Sequence, residues 1–189
     1  FFRWAKTSYP RELNSLPLTW IDTLKMPRQP QVTQENVFVS EDDVRKIISY
    51  PVVQDDLALL RDQAAAALLF LSGMRGSAFI TLPISALDLE NLTILQWPEL
   101  GVHTKNSKKA TTFLLNMPDL LEPVRRWDAV VRPVLSPTAP WYAPIKHAWG
   151  EQSLSYEEPG KCRLSGLNKR LKLLFSRILR RRIGQRETF

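Results

Sequence analysis

Between Ser40 and Pro51 the apolar positions Val44, Ile47 and Ile48 are spaced for one face of a helix. Ser40 stands where an N-cap belongs, and Glu41, Asp42 and Asp43 fill a first turn in which carboxylates complement the helix dipole. Pro51 ends the run. A second helix is expected from about Asp55 to Ser72. Its second half, "AAAALLFLS", is apolar almost all round, which predicts a place at the centre of the core, and Gly73 is set to cap its C-terminus. A short helix should then run from Arg75 to about Leu82, stopped by Pro83.

Period and residue type change after that point. "NLTILQW" and "GVHTK" read as strands, and "ATTFLLN" alternates loosely and is rich in β-branched and aromatic residues. The polar stretch "TKNSKKAT" between the last two predicts a β-hairpin. "MPDLLEPVRRWDAVVRPVL" reads as helix in two parts, with Pro118 at its start and Pro123 close to the first turn. The stretch from Ser136 to Lys161, rich in proline and aromatics, reads as one long ordered loop. In the final helix, capped by Ser165, Leu167, Leu171, Leu174, Phe175, Ile178 and Leu179 share a face.

The first 25 residues read as one or two short helical pieces anchored by Phe1, Phe2, Trp4, Leu13, Leu16, Trp20, Ile21 and Leu24. That piece is too short to fold alone, so it is expected to be the end of a preceding helical domain. Residues 26–39, with two prolines among polar residues, read as an extended linker, and 40–189 as the main domain. Helices around one small antiparallel sheet make the expected fold class α+β, mostly α.

Composition narrows the chemistry. The single cysteine, Cys162, rules out an intrachain disulfide framework, and nothing beside it would activate a nucleophile, so a neutral thiol is expected. His103 and His147 lie far apart without a CxxC partner, which leaves no zinc signature and no implied cofactor. No apolar run reaches the roughly 20 residues of a membrane span, and no secretory leader is evident, so a cytoplasmic protein is expected. The net charge is +7, and from Lys161 to Phe189 ten Lys or Arg residues stand against one acidic residue, Glu187. That asymmetry fits either a solvated basic helix or a polyanionic partner such as nucleic acid. Trp97, Trp127, Trp141 and Trp149 are expected to be core or loop anchors rather than stacking platforms.

One stretch carries more. "SGMRGSAFITLPISALDLEN" resembles the first arginine box of tyrosine recombinases, the phage integrase family, in which a helix ends in Gly-x-Arg and a leucine follows seven residues later. Here these are Gly73-Met74-Arg75 and Leu82, with Asp88 as the acidic residue beyond. "HTKNSKKATTFLL" resembles the family's lysine-bearing hairpin, with Lys105 at the matching place and Lys108 or Lys109 as alternatives. The resemblance covers Val37 to Asn116, and more loosely residues 1–36 and the last helix. It departs at Ala78, where the family commonly has an acid, and His-x-x-Arg and a late tyrosine have no counterpart.

The resemblance implies DNA strand breakage and rejoining through a 3′-phosphotyrosine, without metal or cofactor. Arg75 would stabilise the pentavalent phosphorus with two parallel donors, Gly76 and Ser77 keeping its approach open, and Lys105 would protonate the departing 5′ oxygen. Lys108, Lys109, Lys169, Arg170, Arg177 and Arg181 are the expected DNA contacts. The partners implied are double-stranded DNA and further copies of the chain, a synaptic tetramer in the family. Residues 1–25 would be the end of a core-binding domain and 40–189 the first part of a catalytic domain. Such a chain is expected to bind DNA without cleaving it. Two alternatives stay open: a non-catalytic DNA-binding or assembly module on the same scaffold, and an RNA-binding or unrelated helical protein.

Overall fold

The computed structural model describes residues 2–17, 19, 39–53, 56–148, 151–154 and 162–179, the side chains of Phe2 and Arg3 excepted. The chain divides into two units, Phe1–Asn36 and Val37–Phe189. In the first, helix α1 spans Phe2–Ser8, with Ala5 buried and Trp4 and Tyr9 exposed and edge-on to each other at 6.4 Å. Trp4 is therefore no anchor, and Leu13 and Leu16 are only half-buried. Phe1, Trp20, Ile21, Leu24 and residues 26–38 of the expected linker lie outside the described residues.

The second unit is built on helices set by local signals. Helix α2, Glu41–Ile48, begins with a full capping box: the Ser40 hydroxyl accepts from the Asp43 N–H, and the Asp43 carboxylate accepts from the Ser40 N–H. Helix α3, Leu57–Ser72, is capped by the Asp56 carboxylate, which accepts from the Leu59 N–H at 2.9 Å, and ends at Gly73 with φ 59°. Its residues from Ala58 to Leu68 are all buried, as the all-round apolar pattern requires.

Helix α4, Gly76–Phe79, follows directly, and then the three-stranded antiparallel sheet of β1 (Leu87–Asp88), β2 (Thr93–Gln96) and β3 (Ala110–Phe113), in that order. The sheet corrects the expected hairpin. "GVHTK" forms no strand; β3 pairs instead with β2, Thr93 opposite Phe113 and Gln96 opposite Ala110. Residues 97–109 are one long loop between the paired ends. Gly101 at φ 86° reverses the chain, and Asn106 and Ser107 also take positive φ, which prevents a continuous strand there.

Helix α5, Pro118–Val131, is one helix and not two. Pro118 opens it, and Pro123 lies inside, removing one backbone donor. The apolar stripe of Leu120, Leu121, Val124, Trp127 and Val131 is fully buried, chiefly against α3, and this packing outweighs the lost hydrogen bond. The expected long loop contains a second hairpin, β4 (Ile145–Ala148) with β5 (Glu151–Leu154). It docks on the start of α3: Gln152 accepts from the Ala58 N–H at 2.7 Å and donates to Asp56 at 3.1 Å. Trp149 lies outside the described residues. Helix α6, Leu164–Leu179, starts one residue before Ser165, so that serine lies in its first turn rather than capping it. Leu167, Leu174 and Phe175 are buried as the spacing predicts, and Leu171, Ile178 and Leu179 are half-buried.

Polar groups fasten these layers. Trp127 and Trp141 are fully buried; the Trp127 indole donates to the Trp141 carbonyl, and the Trp141 indole donates to Asp128. Arg132 pairs with Asp128 at 2.7 Å and donates to the Leu87 carbonyl at 3.1 Å, joining α5 to the sheet. Deeper still, Asp62 of α3 accepts from the Tyr142 hydroxyl at 2.8 Å, from Arg61 at 3.1 Å and from Arg170 of α6 at 2.5 Å. Arg61 lies 4.2 Å above the Tyr142 ring and donates to the Ala143 carbonyl. Burial pushes the Tyr142 phenol above its ordinary range, partly offset by Arg61, which keeps the hydroxyl a donor.

Asp62→Ala should lower the urea unfolding free energy by about 3–5 kcal/mol, because Arg61 stays buried without its carboxylate. Arg170→Ala should cost about 1.5 kcal/mol, since its side chain is 41% exposed and Asp62 keeps two partners. Burial also raises the Cys162 thiol pKa, opposed by Arg61 and Arg170 and reinforced by Asp62. At pH 8 the folded chain should therefore react with a disulfide reagent more slowly than a cysteine peptide, and at the peptide's rate in urea.

Candidate nucleic-acid interface

Arg75 owes its position to the end of α3. Gly73 turns the chain in the left-handed conformation, its N–H donating to the Leu69 carbonyl at 2.9 Å, and Met74 is buried as the next anchor. Arg75 is then extended (φ −72°, ψ 143°) as the N-cap of α4, and its carbonyl accepts from the Phe79 N–H. Phe79 is fully buried, edge-on to Trp141 at 6.1 Å. The backbone on both sides of Arg75 is thus fixed, while its guanidinium is exposed and pairs with nothing among the described residues. Gly76 lies against α6: a Cβ there would stand 2.7 Å from Leu164 Cδ1, the end of a flexible side chain.

Lys105 comes from the β2–β3 loop. Its neighbourhood is held by Val102, which is buried, and by the His103 N–H, which donates to the Thr81 hydroxyl at 2.8 Å. Thr81 in turn bonds the Ser77 and Ala78 carbonyls of α4. The loop is therefore sewn to the helix that starts at Arg75. Lys105–Ser107 make one tight helical turn, with Asn106 at φ 59° and Ser107 at φ 51°. Asn tolerates this region through its short polar side chain; for Ser it is uncommon, and such strain concentrates at functional loops.

Between these two elements lies an open cavity of about 370 Å³. Arg75, Lys105 and Lys108 line it together with His103, Gln96 and Asn106, and Ala78 and Ala110 form its small apolar wall. Among the described residues no carboxylate lines it. Thr104 Oγ1 is buried beside Lys105 and has no hydrogen-bond partner among the described residues. Three cations with polar neighbours make the lining positively charged.

The other expected contacts are dispersed. Lys109 sits 3.6 Å over the Trp97 ring, outside the cavity lining. Lys169 is exposed, Arg177 lies 5.5 Å over Tyr50, and Arg170 is spent on Asp62, a fold contact rather than a free cation. Arg181 lies outside the described residues. Asp88 holds its own turn, accepting from the Glu90 and Asn91 N–H groups, and these bonds with the Asn91 side chain hold its carboxyl below the usual range. Tyr9, Tyr50 and Tyr142 do not line the cavity. His103, Gln96 and Asn106 were missed by sequence reasoning; the only signal was the closeness of His103 and Asn106 to Lys105.

Among the described residues no group of His, Cys, Asp and Glu could hold a metal ion, and no helix is long and apolar enough to cross a membrane. No protein-family model matches the chain, and no curated protein does. Among solved structures, the crystal structure of XerA recombinase matches with a TM-score of 0.51 at 15% identity, over 92% of this chain and 51% of that one. The chain thus spans about half the length of that recombinase and shares its fold: a mostly helical α+β architecture with a small antiparallel sheet.

Proposed function

We propose that this chain is part of a DNA-binding tyrosine recombinase, in which Arg75 and Lys105 hold one phosphate of double-stranded DNA. The observation that carries the reading is that these two residues, from separate elements, line one acid-free cavity. An unrelated helical protein with an accidental motif would have no reason to bring them together. The fold likeness to XerA recombinase supports the same reading.

The chemistry follows from residue type. A guanidinium offers two parallel donors to phosphate oxygens and stays charged at any working pH. The Gly73 turn fixes the backbone from which it reaches out, so its donors start from a set point next to the charge that grows on equatorial oxygens. An ammonium on the loop is a point charge that can give up a proton, which suits Lys105 to a leaving oxygen. Lys108 extends the positive surface along the backbone, with Lys109, Lys169 and Arg177 as peripheral contacts. In the whole recombinase reaction a tyrosine would attack phosphorus, form the 3′-phosphotyrosine and release the 5′ hydroxyl; assembly of several copies on DNA belongs to the same proposal.

The second reading, a non-catalytic binding or assembly module, is favoured by one observation: none of the described tyrosines lines the cavity. A nicked suicide duplex separates the two. An adduct that resists denaturation would establish cleavage and reject the module, whereas tight binding without an adduct is the outcome the second reading expects. Arg75→Ala should weaken duplex binding about tenfold to a hundredfold, as loss of a charge-assisted contact implies, with Lys105→Ala smaller and both effects shrinking at high salt. Unchanged affinity of Arg75→Ala in a fluorescence-anisotropy titration would remove the arginine from the interface.

A further inference from the structure

One cavity-lining side chain has no part in the clamp described above. His103 lies on the wall beside Arg75, Lys105 and Lys108. Its backbone is fixed from three directions: the N–H is bonded to Thr81, Val102 before it is buried, and Thr104 after it buries its hydroxyl. The residue is nevertheless exposed. An imidazole on a pinned backbone at the mouth of a cationic cavity is a positioned group, and histidine is the side chain that exchanges its proton near neutral pH.

The groups facing it settle which way its charge couples. The turn before α4 contributes Arg75 and the loop contributes Lys105 and Lys108; α4, β2 and β3 contribute only the neutral Ala78, Gln96 and Ala110. All the charged neighbours are positive. A bound phosphate reverses the local field and accepts a charge-assisted hydrogen bond from an imidazolium.

We propose that His103 is a third ligand of the anion held by Arg75 and Lys105, and that DNA binding at this cavity takes up a proton on its imidazole. This rests on the reading of the cavity as a phosphate site. The sign follows from linkage. If binding takes up a proton, affinity must rise as pH falls through the range in which an imidazole exchanges its proton. Phosphodiesters exchange no proton in this range, so the proton resides on the protein.

The experiment uses the full chain and a duplex oligonucleotide, with the two imidazoles followed by proton NMR across pH 5 to 8. His147, exposed on β4, is the internal control. Uptake of one proton limits the gain to about tenfold per pH unit, and a rise of about threefold to tenfold between pH 7.5 and 5.5 is expected. The His103 midpoint should move up on adding DNA while that of His147 stays. His103→Gln should bind with much weaker pH dependence, and His147→Gln should keep the wild-type rise. An unmoved His103 midpoint, or a His103→Gln chain with the full rise, would overturn the inference while leaving the phosphate site intact. Absence of DNA binding, or an Arg75→Ala chain that binds like wild type, would overturn the underlying reading and this inference with it.

Discussion

The second unit hangs on one buried carboxylate. Asp62 lies in the middle of the central helix, 3% exposed, and its two oxygens take donors from three places. Arg61 is its neighbour in sequence, Tyr142 comes from the strap after α5, and Arg170 comes from the last helix. A charge so placed is tolerable only because its neighbours neutralise and bond it. The geometry therefore has to be reached as a whole: until α6 and the strap are both seated, α3 carries an unsatisfied ion at its centre. The same seating brings Leu164 onto Gly76 and Trp141 onto Phe79. The support beneath Arg75 is completed by contacts made far from it in the chain.

What was legible in the sequence was what local rules decide. The capping box at Ser40, the apolar run of α3 and the glycine at its end each depend on residues a few positions apart, and they stand where the spacing puts them. Strand pairing was read less well, because register depends on partners outside the window. "GVHTK" has strand-like residues, yet the ladder was taken by Thr93–Gln96, whose Ile94 is fully buried. The β4–β5 hairpin was invisible for another reason. "IKHA" and "EQSL" are largely exposed and carry little apolar alternation; their placement comes from Gln152 satisfying the open end of α3.

The candidate site divides along the same line. Arg75 and Lys105 were marked by motif and by their surroundings, and the cavity contains both. His103, Gln96 and Asn106 could be found only in three dimensions, since belonging to a cavity is a property of packing. The Asp62 contact of Arg170 was hidden for a related reason. On a basic helix every cation looks solvated, and the buried carboxylate that this one pairs with stands 108 residues earlier.

The loop from Trp97 to Lys109 is closed at both ends by ladder pairs, Gln96 with Ala110 and Leu95 with Thr111. Closing a loop costs entropy that grows only slowly with its length, about 0.6 kcal/mol for each doubling. Residues added beyond the Thr81 anchor would therefore change the reach of the lysines while the arginine stayed where α3 puts it. The place of Arg75 is a fixed dimension of the scaffold, and that of the loop lysines is an adjustable one. Chains sharing this scaffold can vary the distance between the two charges without rebuilding the core.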